Sequence, residues 1–254
     1  YSVFMSIISG EIFCLAKAPE SCIKCSNCYS GPAYAVFRPE FARYHNMKKS
    51  IAKDPKKILV TLGGTDPTGS TIKVINALEK VDKKLNVTIL IGPAFIFQDE
   101  IKRLLSKSKQ RYTVKSDIKD IERYIYEADI AITSGGITVY EVAAIGTPHI
   151  VICHNRHEHT NAFHDYGIAL SLGLADQLKE KGITEAVSDL MKDARLRESM
   201  SRKAKVSTKV ASDLVFIGRN IEFITPYLGT EHFEPVRLNM SETTCQLNVS
   251  RPLA

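Results

Sequence analysis

Several features that would assign the chain to a large functional class are missing from its sequence. No apolar run in the 254 residues reaches the roughly 18 residues of a membrane-spanning helix, so we predict no membrane span. Despite a formal net charge of +6, no basic stripe is interleaved with aromatic residues, which argues against a nucleic-acid partner. The lysines concentrate at 48–57 and at Lys83 and Lys84, as in solvated helix ends and a linker. A mildly basic surface still favours an anionic ligand.

A basic leader is also missing, and nothing in the six cysteines demands disulfides, so we expect a cytoplasmic protein. The opening YSVFMSIISGE resembles the interior of a longer chain, and a truncated protein is one interpretation. Cys22, Cys25 and Cys28 form C-x2-C-x2-C, with Cys14 upstream, a pattern that can ligate zinc or an iron–sulfur cluster. Because the spacing from Cys14 matches no standard site and no histidine lies nearby, we predict no metal there.

Short apolar runs alternate with amphipathic stretches from Lys57 onward. The predicted strands are 58–62, 86–92, 112–114, 129–133, 149–153 and 167–173, and the last helices are 158–166, 176–191, 194–205 and 209–224. This alternation is typical of an α/β protein with a doubly wound parallel sheet, Rossmann-like, whose usual strand order is 3-2-1-4-5-6. The predicted organisation is an irregular N-terminal segment, a binding domain, a C-terminal helix and a loose tail: 1–45, 46–205, 206–225 and 226–254.

Two glycine pairs end the first and fourth predicted strands, Gly63-Gly64 and Gly135-Gly136. In the expected strand order these strands are neighbours, so both pairs face one crevice, each at a helix N-terminus that favours an anion. The alternative is that the glycines only make tight turns. The loops also carry hydroxyl side chains, namely Thr65, Ser70, Thr71, Ser134 and Thr138.

The first loop, from Gly64 to Thr71, differs by one residue from the P-loop G-x-x-x-x-G-K-[ST]. Ser70 replaces the lysine that would hold phosphate, and the fourth strand ends without an acid for magnesium. ATP hydrolysis is therefore not expected. A dinucleotide site is also disfavoured, because the loop is not G-x-G-x-x-G and no acid ends the second strand.

Two charged residues are candidates for the same crevice. Glu141 lies one turn into the helix after Gly136, where a carboxylate could accept both ribose hydroxyls or could simply be a solvated first-turn glutamate. Arg38, in VFRPEF, could pair with an anion or be a surface arginine.

The segments ILVTLGGTDPTGST, DIAITSGGITVYEVAAIGTPHIVI, NRHEHTNAF and GPAYAVFRPEF together resemble the C-terminal, nucleotide-binding half of GT-B sugar-nucleotide enzymes. They are most similar to the UDP-sugar hydrolase of pseudaminic acid biosynthesis and its spore-coat polysaccharide relatives, and less so to the lipid-II N-acetylglucosaminyltransferase. The resemblance covers about 31–205. It implies a glycosyltransferase or hydrolase that takes a UDP-activated amino sugar, with no obligatory metal and no cofactor.

The resemblance also implies roles for individual residues. Nucleotide binding falls to Arg38, Gly63, Gly64, Thr65, Gly135, Gly136, Ile137, Thr138 and Glu141. The loop on the sugar side carries Asn155, Glu158 and Asn161. The histidines of that loop, 154, 157, 159 and 164, could bind zinc or contact the substrate, but the family's loop is usually free of metal.

The sequence departs from the family in one respect. The glycine-rich loop with a histidine, which in the hydrolase is thought to activate water, has no counterpart in residues 1–45. The catalytic residues are therefore unknown, and the choice between hydrolase and transferase stays open. The alternative is a non-catalytic UDP-sugar-binding module that needs an N-terminal domain or a partner chain.

Overall fold

The computed structural model describes residues 37–159 and 166–208, except the side chains of 157 and 159, and gives the backbone of five further short strands. Three of these strands form a small sheet in the order β1-β2-β3: β1 (Met5–Ile8), β2 (Glu11–Cys14) and β3 (Cys28–Ser30). The side chains of the cysteine cluster, the predicted helix 209–224 and most of the tail lie outside the described residues; of the cluster, the backbone of Cys14 and of Cys28 falls in β2 and β3.

Helix α1 (Pro39–Asn46) lies within the segment that was predicted to be irregular. Proline disrupts the interior of a helix, but Pro39 occupies the first turn of α1, where its fixed φ suits a helix and its missing N–H costs nothing. Phe37 and Phe41 are buried in the core that α1 shares with the helices of one layer. Burial of these rings stabilises a helix that is only eight residues long.

Six parallel strands form the main sheet in the order β6-β5-β4-β7-β8-β9. They are β4 (Lys57–Thr61), β5 (Asn86–Ile91), β6 (Arg111–Ser116), β7 (Ile130–Ser134), β8 (His149–Cys153) and β9 (Ala169–Leu174). This order is the predicted 3-2-1-4-5-6, and the doubly wound α/β fold is confirmed. The remaining strands, β10 (Leu238–Ser241) and β11 (Thr244–Leu247), pair as an antiparallel hairpin.

Helices cover both faces of the main sheet. Besides α1 they are α2 (Ser70–Leu78), α3 (Gln98–Leu105), α4 (Ile121–Glu127), α5 (Ile137–Ile145), α6 (Arg156–His159), α7 (Glu180–Lys192) and α8 (Ala194–Ser207). In the described part of the chain, none of them is both long and apolar enough to cross a membrane.

The central strands are apolar on both faces because each face packs against helices. Ile58 and Val60 of β4 belong to the core with α2 and α7, whereas Leu59 belongs to the core with α1, α4 and α5. Strand β7 repeats this division, with Ile132 on the first side and Ala131 on the second. A period of two residues along each strand therefore separates two cores.

Buried cations fix the connection between α1 and β4. Lys49 Nζ donates to Ala128 O at 2.6 Å and to Tyr126 O at the end of α4. Burial lowers the pKa of Lys49 to about 8, so this lysine is an exception to the predicted solvated run 48–57. Arg197, 1% exposed on α8, donates to Ala52 O at 2.5 Å and to Met191 O at 3.1 Å.

We expect Arg197→Ala to lower the free energy of unfolding by about 3 kcal/mol, because buried carbonyl groups of α7 and of the connection lose a charged donor. Urea denaturation measures the change. The control is Arg195→Ala, which removes an exposed arginine from the same helix and should change stability by no more than about 0.5 kcal/mol. Equal effects of the two substitutions would contradict the proposed role of Arg197.

Candidate functional site

The two glycine loops meet at the carboxyl edge of the central strands. Thr61 of β4 and Thr133 of β7 are paired, so the residues that follow them leave the sheet side by side. Gly63 has a φ of +82°, and a Cβ built on it would lie 3.6 Å from Ser134 Oγ in the neighbouring loop. The two loops therefore lie side by side, as the strand order predicts.

A third glycine supports the first loop from the other side. Gly92 follows β5, and a Cβ built there would lie 2.2 Å from the carbonyl oxygen of Gly64 and 2.4 Å from its Cα. No real side-chain atom fits at that distance, so the close approach of two backbones needs glycine at this position. Gly64 and Thr65 themselves are exposed on the crevice side of this support.

The N-terminus of α2 is closed by a side chain of its own loop. The carboxylate of Asp66, 1% exposed, accepts hydrogen bonds from Ser70 N at 2.9 Å and from Thr71 N at 2.7 Å. These are two of the amides that a phosphate would use in a P-loop. The expectation that both glycine pairs lie at a helix N-terminus open to an anion is therefore wrong for the first pair. Helix α2 begins only at Ser70, and Asp66 takes the anion's place.

Helix α5 begins differently. Its N-cap is Gly136, which has no side chain to bond the first-turn amides. Ile137 is 39% exposed and Thr138 is partly exposed, so the start of this helix faces solvent. The macrodipole and the first-turn N–H groups of α5 therefore offer the better anion site of the two helices.

The loop after β8 contacts the second glycine loop through Glu158 on α6. Glu158 Oε2 accepts from Gly135 N at 3.2 Å and from His154 N at 2.8 Å, and Asn155 Oδ1 accepts from Glu158 N at 3.0 Å. Burial and the charge of Glu158 raise the pKa of the Cys153 thiol to about 12, so this cysteine is no nucleophile at neutral pH. Asn161 lies outside the described residues.

His154 ties the end of β8 to the first loop. Its Nε2 lies 2.7 Å from Leu62 O, and its Nδ1 lies 2.9 Å from Thr68 Oγ1. A carbonyl can only accept, so Nε2 carries the proton and Nδ1 accepts from the Thr68 hydroxyl in the neutral ring. Both ring nitrogens are used within the fold. His154 is therefore a bridge between loops and not a free general base.

The other histidines with described side chains are also engaged away from the crevice. His45 Nδ1 lies 2.7 Å from Ala144 O, and His149 Nδ1 lies 2.9 Å from Thr147 O at the opposite end of β8. Burial lowers the pKa of His149 to about 4, which keeps the ring neutral. The side chains of 157, 159 and 164 lie outside the described residues. Among described side chains, no three acidic, histidine or cysteine groups gather into a metal site.

Arg38 and Glu122 come together although they are far apart in the sequence. Arg38 Nη2 lies 3.2 Å from Glu122 Oε2 of α4, and Glu141 lies on α5, which packs against both α1 and α4. Burial raises the pKa of Glu141 to about 7; Arg38 opposes this shift and the Glu122 carboxylate adds to it. Hydrogen bonds from two hydroxyl donors would therefore stabilise the ionised form of Glu141.

Sequence reasoning missed four residues of this site: Gly92, Asp66, His154 in its bridging role and Glu122. Asp66 carries a detectable signal, because an aspartate four residues before the first helical residue can cap a helix from its loop. Glu122 carries none, since a glutamate in a first helical turn is usually solvated.

Residues 58–215, more than half of the chain, match the family described as glycosyltransferase family 28 C-terminal domain. The chain belongs to this family. The site described above is thus the carboxyl edge of a family 28 C-terminal domain, built around its two glycine loops.

Relatives of this family 28 domain agree with the assignment. The chain is 33% identical over 178 residues to the spore coat polysaccharide biosynthesis protein SpsG of Bacillus subtilis, covering 68% of this chain and 52% of that protein. It is 28% identical over 166 residues to a Caldanaerobacter subterraneus transferase, which is named UDP-N-acetylglucosamine--N-acetylmuramyl-(pentapeptide) pyrophosphoryl-undecaprenol N-acetylglucosamine transferase. The alignment covers 59% of this chain and 44% of that enzyme.

Among solved structures, MurG of Acinetobacter baumannii has the same fold with a TM-score of 0.57 at 19% identity, over 73% of this chain and 53% of that one. This likeness confirms a GT-B type of fold. The chain spans about half the length of these matched proteins.

We expect Gly92→Ala to destabilise the fold by about 2 kcal/mol, because the new methyl group must displace the Gly64 backbone. Thermal denaturation measures the loss. Gly182→Ala is the matched control: a methyl group there would lie 3.5 Å from Leu178 Cδ1, and alanine favours helix α7. A Gly92→Ala variant as stable as Gly182→Ala would show that the two backbones are not in contact.

Proposed function

We propose that this domain binds the nucleotide part of a UDP-activated amino sugar, as half of a glycosyltransferase or UDP-sugar hydrolase. The observation that carries the proposal is the contrast between the two helices of the crevice. Helix α2 is closed by Asp66, whereas α5 begins at Gly136 with its first turn facing solvent. A diphosphate at α5 would also lie beside the exposed Gly64 and Thr65.

Each predicted site residue has a role in this proposal. The backbone N–H groups of Gly136, Ile137 and Thr138 offer donors to the diphosphate, with Gly63, Gly64 and Thr65 against its other side. Gly135 connects β7 to this loop, and its own N–H donates to Glu158 Oε2. Glu141, one turn further along α5, accepts the two hydroxyl groups of the ribose. Arg38 adds a positive charge on the same side, and its side chain is 39% exposed. Asn155, Glu158 and Asn161 lie on the loop that would approach the sugar.

The chemical role of these groups is to stabilise the departing UDP. Negative charge grows on the diphosphate as its bond to the sugar breaks, and fixed amides and a helix dipole favour that charge without reorganising. The spore-coat relative supports a place in surface polysaccharide synthesis. The formation of nonulosonic acids such as pseudaminic acid is part of the same proposal. A cytoplasmic location is part of the proposal.

The second candidate function is a binding module without activity of its own. It is favoured by the histidines, because each one with a described side chain is engaged within the fold or buried at the far edge of the sheet. In this case an N-terminal domain or a partner chain would supply the base and the acceptor.

We expect Glu141→Ala to weaken UDP binding about ten- to hundredfold, because two charge-assisted hydrogen bonds to the ribose are lost. Isothermal titration calorimetry measures the affinity. The control is Glu185→Ala, which removes an exposed glutamate from α7 in the opposite layer and should leave the affinity unchanged. Unchanged binding by a Glu141→Ala variant with a native circular dichroism spectrum would remove Glu141 from the site.

Turnover separates the two candidate functions. The purified chain is incubated with UDP-N-acetylglucosamine, and released UDP is measured with and without added acceptor. Release at an enzymatic rate would exclude the non-catalytic module. Binding of UDP without turnover would instead assign the catalytic groups to another domain or chain.

A further inference from the structure

The guanidinium of Arg38 is held by contacts from two helices. Its Nη2 donates to Glu122 Oε2 at 3.2 Å and its Nη1 donates to Lys119 O at 3.3 Å, so both contacts lie at the start of α4. Its Cζ lies 5.3 Å from the centre of the Phe41 ring of α1. The Glu122 side chain is 7% exposed and that of Arg38 is 39% exposed. The pair thus has a buried acid and an arginine with a face open to a ligand.

A second carboxyl group, that of Glu141, lies on a helix packed beside this ion pair. Glu141 reaches the same neighbourhood from α5, which packs against both α1 and α4, and it senses the charges of Arg38 and Glu122. The hydrogen bond shows that the guanidinium pairs with Glu122. Among the described side chains, no cation forms an ion pair with Glu141.

We propose that Glu122 is a positioning residue of the nucleotide site: it holds Arg38 toward the ligand and keeps that arginine away from Glu141. The Glu141 carboxyl group then stays available for the two hydroxyl groups of a ribose. This inference rests on the proposed function, because it assumes that a UDP-sugar occupies the crevice. Glu122 itself does not touch the ligand and acts through Arg38.

The arrangement makes binding depend on pH. Burial places the pKa of Glu141 at about 7, and the ionised form is the better acceptor for two hydroxyl donors. The charged groups that act on it are Arg38 beside α1 and Glu122 on α4. From the other elements packed on α5, His45 contacts Ala144 O and Lys205 of α8 lies beside Gly146, both near the far end of the helix.

The sign of the dependence follows from these groups. Below pH 7 Glu141 is protonated in the free protein, so binding must first remove a proton and is weaker. We expect the affinity to rise about tenfold between pH 6 and pH 8 and then to level off, as for one group with a pKa of about 7. UDP-N-acetylglucosamine is the suitable probe, because its phosphates are both esterified and do not titrate in this range.

Glu122→Gln tests the inference by calorimetry with this probe from pH 6 to pH 8.5. Without Glu122, Arg38 turns to Glu141, which then ionises at lower pH but is occupied by the arginine. We expect about tenfold weaker binding at pH 8 and less than a threefold change between pH 6 and pH 8. The matched control is Glu127→Gln on the same helix, whose side chain is 51% exposed and pairs with Arg123 on the surface. This control should keep the wild-type affinity and the wild-type pH slope, that is, the change in affinity between pH 6 and pH 8.

A second variant distinguishes redirection of Arg38 from local damage. In Arg38→Gln/Glu122→Gln both charges are replaced by neutral groups of similar size, so neither is left buried without a partner. Binding should be weak, but the pH slope should return because no arginine competes for Glu141. A slope that stays flat in the double variant would overturn the inference.

The outcomes separate the inference from the proposed function. A wild-type protein that fails to bind the probe at millimolar concentration overturns the proposed function and the inference with it. Wild-type binding together with a Glu122→Gln variant that keeps the wild-type affinity and pH slope overturns the positioning role alone. Weaker, pH-independent binding by Glu122→Gln, with the slope regained in the double variant, supports both.

Discussion

The pairing of β4 with β7 at the centre of the sheet is the constraint on which the site depends. Because Thr61 lies opposite Thr133, the two glycine loops leave the sheet at the same level and lie side by side at Gly63 and Ser134. Right-handed crossovers bring these strands side by side, although 68 residues of the chain lie between the end of β4 and the start of β7. The crevice is thus a consequence of topology before any side chain contributes.

The two loops then differ in what fills them. Asp66 accepts the amides of Ser70 and Thr71, so the loop that resembles a P-loop supplies its own anion and stabilises its own helix. At α5, by contrast, Gly136 brings no side chain and the helix start faces solvent. The two glycine loops therefore differ in whether a side chain of the loop itself occupies the amides of the following helix.

The charged side chains around α5 also have a specific arrangement. Arg38 binds Glu122, whereas Glu141 is partly buried and forms no ion pair with any described side chain. Water solvates a partly buried carboxylate poorly before the ligand binds. The carboxylate therefore loses little hydration free energy when it accepts hydrogen bonds from hydroxyl donors. The family assignment fits this picture, since the matched residues 58–215 contain both glycine loops and Glu141. Within the matched residues, the two histidines whose side chains are described, His149 and His154, are both engaged in hydrogen bonds of the fold.

The sequence by itself determined the sheet, its strand order and the meeting of the glycine loops. Apolar runs of about five residues reflect burial on both faces, which is a local property of each strand. Only the tertiary structure decided what the crevice contains. Arg38 meets Glu122 across 84 positions, and His154 reaches Leu62 across 92. No periodicity encodes such contacts, because they depend on which distant side chains the packed helices bring within hydrogen-bonding distance.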